Sequence, residues 1–348
     1  SIKLGVTAGL RDFSKSVLVE AQLLACVYLT ACLFYREMMT GNGPRGEKPM
    51  SPIRDAVFSG SCTALVTPFI GGQLDKKAFC KLVEWQIENG TAALIPVGTT
   101  GESPTLSHEE HDIVVDLCIK QAAGRVPIIA GAGSNSTAEA VRLAKHAAEA
   151  DADAVLIVSP YYNKPTQEGL YQHFSAVAAA VSVPVIVYDI PGRSIVQVTE
   201  ETLVRLAADY PNIRGIKDAT ADVARPTRIR NLLGANFAQL SGEDASALPY
   251  LAAGGHGCIS VTANVAPKLL SDMHKAWAAG DIAAAQAINE RLMPLHDAMF
   301  CEASPGPVKY AAELMGICSA ETRLPLCEIA PASKARVEAA LRGAGLMN

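Results

Sequence analysis

From about residue 58 the chain alternates between two hydrophobic patterns. Short apolar runs rich in β-formers begin at "CTALVTPF" (62), "AALIPVG" (92), "VPIIAGAG" (126) and "AVLIVSP" (154). They continue at "PVIVYDI" (184), "IRGIKDAT" (213), "FAQLSGED" (237) and "GCISVTAN" (257). Each reads as a buried strand. Between most of them lies a helical period. The clearest is "TAEAVRLAKHAAEA" (137–150), which places Ala140, Val141, Ala144 and Ala147 or Ala148 on one face. The runs recur about every 20 to 34 residues, the length of one strand–helix unit. Eight such units predict an α/β fold, a (β/α)8 TIM barrel over 58–280. A doubly wound open sheet is the rival, but "GAGSNS" after the third run lacks the full GxGxxG turn. Beyond Gly280 the strands stop. "DIAAAQAINERLMPLHDAMF", "PVKYAAELMG" and "SKARVEAALRGAGL" predict a C-terminal helical appendage over 281–348.

Residues 1–57 break the pattern. "SVLVEAQLLACVYLTACLFY" (16–35) is apolar and follows Arg11 and Lys15, as in a targeting peptide, but Glu20 and Gln22 interrupt it. A carboxylate there argues against a membrane-spanning helix. The segment is read as an extension outside the working fold, with a targeting peptide and a membrane anchor as the other two readings. "TGNGPRGEKPMSP" (40–52) reads as a polar linker in all three.

Composition narrows the partners. The 348 residues are 49% apolar, enough for a barrel core, and only 5% aromatic. A net charge of −5 without a basic run argues against nucleic acid. Nine scattered cysteines form no CxxC pair and lie at no zinc-like spacing from histidine. They read as reduced thiols, which points to the cytoplasm, and no metal site is expected.

A barrel of this kind keeps its chemistry at the C-terminal ends of its strands. The second run ends in "GTTGES", where Thr99 and Thr100 offer donors to a carboxylate or simply cap a helix. The fourth ends in "SPYYNKP", with Tyr161 and Tyr162 in a loop. The fifth ends in "YDIPGRS". There the Tyr188 phenol can shuttle protons and the Arg193 guanidinium can grip a carboxylate. The sixth carries Lys217 on the same face as Gly215. A lysine on the inner face of a closed barrel loses hydration, which favours a free amine able to attack a carbonyl. Taken singly, each has an ordinary structural reading; Lys217 could reach solvent from a strand tip. Together they suit a keto acid: donors for its carboxylate, an amine for its ketone, a phenol for protons.

These motifs, with "PYYNKPTQEGLYQHF", "GIKDAT", "LSGED", "GGHGCISVTANVAP" and "RLMPLH", resemble the pyruvate-dependent class I aldolases of the dihydrodipicolinate synthase type. The resemblance runs from about Phe58 to the C-terminus. It implies Lys217 as the Schiff-base lysine, Tyr188 as the proton-relay tyrosine and Thr99 as its partner. It implies Tyr162 as a tyrosine inserted into a neighbouring subunit's site. Thr100 would bind the carboxylate of pyruvate, Arg193 that of aspartate semialdehyde, and the Ile259 carbonyl would line the pocket. An allosteric lysine site is implied at Ser103, His108, His111, Asn135, Glu139 and Tyr161, with a polar interface as the plainer reading. A homotetramer without metal or organic cofactor is implied as well.

Three departures stand out. Asp189 lies where the family usually has Asn. A carboxylate facing Tyr188 would oppose ionisation of the phenol. Ser194 replaces a common Thr. Pro104 replaces a frequent Ala, which weakens the expectation of lysine inhibition. The implied activity is condensation of pyruvate with aspartate semialdehyde in the diaminopimelate route to lysine. The alternatives are a sialic acid or sugar-acid lyase on the same scaffold, Arg193 arguing against the N-acetylneuraminate lyase among them, and a non-catalytic ligand-binding member.

Overall fold

The computed structural model describes residues 58–347, so the leading extension lies outside the described residues. Eight parallel strands form one sheet. They are β1 (Gly60–Ala64), β4 (Ala93–Ile95), β5 (Ile129–Gly131), β6 (Ala154–Val158), β7 (Val185–Asp189), β8 (Ile213–Asp218), β9 (Ala238–Ser241) and β10 (Gly257–Ser260). A small antiparallel hairpin, β2 (Phe69–Ile70) and β3 (Gln73–Leu74), follows the first strand. The order in the sheet is β4-β1-β10-β9-β8-β7-β6-β5, and a parallel bridge between Leu94 and Ile128 joins its two end strands. The sheet is therefore a closed barrel, and the expected fold class holds.

The helices are α1 (Lys76–Glu88), α2 (His108–Ala122), α3 (Thr137–Glu149), α4 (Gln167–Ala180), the single turn α5 (Pro191–Ser194) and α6 (Glu200–Asp209). They continue with α7 (Arg225–Leu233), α8 (Ala247–Ala252), α9 (Pro267–Ala278), α10 (Ile282–Met299), α11 (Gly306–Leu314) and α12 (Pro331–Gly343). Local chemistry fixes several starts. The Asp75 carboxylate accepts from the Ala78 amide at α1. At α2 the Ser107 hydroxyl and the Glu110 carboxylate form a reciprocal capping box. The Thr199 hydroxyl caps α6.

The apolar runs lack polar alternation because both strand faces are covered. One face packs against the helices. The other fills the barrel with Cys62, Ala64, Ile95, Ile129, Leu156, Ile186, Leu240 and Ile259, a layer to which Tyr188 also belongs. Among the described residues no helix is long and apolar enough to cross a membrane.

Backbone strain gathers at one end of the barrel. Val97, Glu102, Tyr162, Lys164, Ile195 and Ala221 all have positive φ, and all lie in the loops that follow β4, β6, β7 and β8. Such conformations cost on the order of 1–3 kcal/mol each for a side-chain-bearing residue. The rim at the C-terminal ends of the strands is therefore held in shape by its surroundings.

Candidate active site

The site begins with a matter of register. Strands β7 and β8 pair Val185 with Ile213, then slip by one residue so that Ile186 pairs with Gly215. The slip sets Tyr188 opposite Lys217 and Asp189 opposite Asp218. Because successive side chains alternate faces, the first pair points into the barrel and the second away from it. Lys217 is buried, and its Nζ lies 4.0 Å from the centre of the Tyr188 ring. Two glycines make room. A Cβ on Gly215 would stand 2.6 Å from the Ala238 carbonyl oxygen, and one on Gly242 would stand 3.2 Å from Lys217 Cε.

Beside Tyr188 opens a cavity of about 230 Å³. Thr99, Tyr188, Tyr161 and Arg193 line it, together with Ser103 and Pro104. Thr100 is buried beside Thr99 in the same loop, whose Gly101 carbonyl accepts from the Thr67 hydroxyl at 2.7 Å. Arg193 is exposed on α5 at the mouth. Ile259 is buried on the inner wall at β10. Tyr162 behaves differently: it is 91% exposed and projects from the rim. A further carboxylate, Glu243 after β9, lies within electrostatic reach of Lys217 and Arg193. Burial pushes it above the usual carboxylate range while the two cations pull it back.

Of the six residues of the expected effector site, His108 pairs with Glu139 and Asn135 with Tyr161. His108 Nε2 lies 2.6 Å from Glu139 Oε1, and the Ser134 hydroxyl donates to the other Glu139 oxygen. Asn135 Nδ2 donates to the Tyr161 carbonyl at 3.2 Å. Ser103 faces the shared cavity. His111 is turned inward, with Nε2 3.0 Å from the Gly131 carbonyl oxygen, and burial lowers it to about 4.

A family model for the dihydrodipicolinate synthetase family matches residues 57–344. The chain belongs to this family. A 4-hydroxy-tetrahydrodipicolinate synthase of Parvibaculum lavamentivorans is 57% identical over 292 residues, 84% of this chain and 100% of that one. Among solved structures, the chloride-inhibited dihydrodipicolinate synthase of Acinetobacter baumannii complexed with pyruvate is 47% identical. Its TM-score is 0.81, over 83% of this chain and 100% of that one. The lysine-bound dihydrodipicolinate synthase of Cyanidioschyzon merolae is 39% identical with a TM-score of 0.81, over 84% of this chain and 100% of that one.

Asp189, next to Tyr188 in sequence, does not face it. Strand alternation turns it to the outer face, where it accepts from Arg225 Nη1 at 2.7 Å and from the Val198 amide at 3.2 Å. Its neighbour is a guanidinium rather than a phenol.

Sequence reasoning missed two fully buried cations near the rim, Arg225 and Lys309. Lys309 on α11 donates to Glu102 Oε1 at 2.7 Å and to the Thr67 carbonyl at 2.9 Å. Glu102 follows Gly101 in "GTTGES", and its other oxygen accepts from the Arg323 amide at 3.0 Å. Only the position of Glu102, in a motif at a strand end, hinted at this. Among the described residues no group of three His, Cys, Asp or Glu side chains could hold a metal ion.

Proposed function

We propose that this chain condenses pyruvate with aspartate semialdehyde through an imine on Lys217, as a 4-hydroxy-tetrahydrodipicolinate synthase of the diaminopimelate route to lysine. The observation that carries this reading is the buried Lys217 amine 4.0 Å from the ring of Tyr188, which together with Thr99 and Arg193 lines the cavity.

The Lys217 amine adds to the ketone carbon of pyruvate, and water leaves to give a protonated imine. Thr100 and the adjoining amides hold the pyruvate carboxylate. Loss of a methyl proton, relayed by Tyr188 with Thr99 and a partner subunit's tyrosine equivalent to Tyr162, yields the enamine. The enamine carbon attacks the aldehyde carbon of aspartate semialdehyde, whose carboxylate Arg193 grips. The amine of the new adduct then attacks the imine carbon and expels Lys217. The protonated imine is itself the electron sink, so the reaction asks for neither metal nor organic cofactor.

Lysine as an effector at Ser103, His108, His111, Asn135, Glu139 and Tyr161, a homotetramer, and residence in the cytoplasm belong to the same reading. The seven free cysteines among the described residues support the last of these.

The test is twofold. Borohydride in the presence of pyruvate should trap an adduct on Lys217, located by peptide mass, and Lys217→Ala should abolish it. A coupled assay with pyruvate and aspartate semialdehyde should show turnover. Cleavage of a sugar acid without that turnover would replace this reading with the lyase alternative.

A further inference from the structure

Behind Tyr188 and Lys217, on the outer face of the barrel, Asp189 and Asp218 sit at the next paired position of β7 and β8. Both are buried, and a single guanidinium joins them. Arg225 Nη1 donates to Asp189 Oδ2 at 2.7 Å and to Asp218 Oδ1 at 3.3 Å. Arg225 Nη2 donates to the Val198 carbonyl at 2.5 Å. Glu200 stands 3.7 Å from Arg225 Nε. One wholly buried side chain, the first residue of α7, thus ties together three segments of the site. They are the strand end after Tyr188, the strand end after Lys217, and the loop that returns from Arg193.

Two carboxylates on adjacent strands in a poorly solvated layer repel strongly unless a cation lies between them. The cost shows on Asp189: burial pushes it up to about 6 despite the pull of Arg225, and Asp218 adds to the rise. The Asp218 position is fixed from its own side as well, since its Oδ1 accepts from the Thr220 hydroxyl at 2.7 Å and the Thr220 amide at 3.0 Å. Asp189 and Asp218 each follow directly on a residue of the site. Any spreading of the outer pair therefore moves the inner pair.

We propose that Arg225 is a positioning residue for the imine-forming lysine. By holding Asp189 against Asp218 outside the barrel, it fixes the register and spacing at which Tyr188 and Lys217 meet inside it. The proposal rests on the reading of Lys217 as the Schiff-base lysine.

The experiment compares full-length wild type with Arg225→Gln and with the double variant Arg225→Gln/Asp189→Asn. For each, the rate of borohydride trapping of pyruvate on Lys217 is measured per folded chain, beside thermal unfolding. A displacement of the order of an ångström should slow trapping by roughly a hundredfold in Arg225→Gln. Removing one of the two repelling charges in the double variant should recover at least about tenfold of that loss, since like-charge repulsion is what Arg225 opposes. Hydrogen exchange should quicken in 185–198 and 213–220 ahead of the rest of the barrel. Where Arg225→Gln does not fold, Arg225→Lys, whose ammonium lacks the planar fork that reaches the carboxylates with one nitrogen and the Val198 carbonyl with the other, is read by the same measures. Trapping at the wild-type rate in a folded Arg225 variant, with only the melting temperature lowered, would overturn the clamp. Failure of the wild-type protein to trap pyruvate would instead overturn the reading of Lys217 on which the clamp depends.

Discussion

Four histidines are buried among the described residues, and burial lowers the imidazole of each, His296 included. His111, His173 and His274 are each held at about 4, in each case chiefly by burial. His173 Nδ1 meets the Thr137 hydroxyl at 3.0 Å. In the unfolded chain an imidazole takes up its proton near pH 6.5. Between that value and about 4 the unfolded state therefore binds more protons than the folded one, and stability falls as the pH falls. The stabilisation is present above pH 6.5 and is lost on the way down. At pH 5 the penalty is about 2 kcal/mol per imidazole, at 1.36 kcal/mol per pKa unit. Asp189 works in the other direction. A carboxyl raised to about 6 stabilises the fold most at low pH and loses that contribution as the pH climbs from about 4 to 6. One carboxyl offsets only part of what three imidazoles cost. Urea midpoints should therefore drop between pH 7.5 and pH 5. His173→Gln, which cannot titrate, should shrink that drop by about 2 kcal/mol whatever it does to stability at pH 7.5. An unchanged difference between the two pH values would show that His173 does not stay neutral in the fold.

Between elements, the Glu102–Lys309 pair is the clearest case of one part of the chain shaping another. Both groups are fully buried, and Lys309 also lies 4.3 Å from the centre of the Phe69 ring. Burial pulls the ammonium below its usual range, while Glu102 holds it up. Through this pair and the Arg323 amide, the C-terminal helical region grips the loop that carries Thr99 and Thr100. Removing one partner of a buried pair leaves an unpaired charge and costs about 3–5 kcal/mol, whereas removing both costs much less. Lys309→Met should accordingly lower the melting temperature and raise the KM for pyruvate. Glu102→Gln/Lys309→Met should recover most of the stability but little of the KM, because the loop has lost its anchor. Equal KM values in wild type and Lys309→Met would confine the pair to stability. The same pair shows where sequence reading stops. The strands and their order along the chain were legible, because apolar runs mark strands, and so was the gathering of Thr99, Tyr188 and Arg193 at one cavity near strand ends. Lys309 and Arg225 were not, because a lysine or arginine within a helical pattern looks the same whether it faces water or a buried carboxylate. Strand alternation alone sets Asp189 on the face opposite Tyr188; what was not legible is that Arg225 meets it there.

At the scale of the whole molecule, the isolated chain leaves Tyr162 without work. Its side chain is 91% exposed and its φ is +73°, a conformation that a bulky residue adopts at a cost. Large apolar side chains are exposed elsewhere too, with Leu324 at 80% and Ile195 at 65%. A strained, outward tyrosine on the rim makes physical sense if it completes a relay in a neighbouring copy of the chain, and that idea can be tested by complementation. Lys217→Ala removes the imine, and Tyr162→Phe removes the hydroxyl the neighbour needs. Each variant alone should therefore have little activity. Unfolded together and refolded, the two should form mixed oligomers in which a site holding Lys217 receives Tyr162 from a Lys217→Ala chain. A substantial part of the wild-type rate should return and then fall on dilution, as the assembly dissociates. If Tyr162 instead served its own chain, every Lys217 in the mixture would lie beside a phenylalanine, and mixing would restore nothing. Recovery on mixing therefore separates a shared site from a self-contained one, and its loss on dilution ties the activity to assembly.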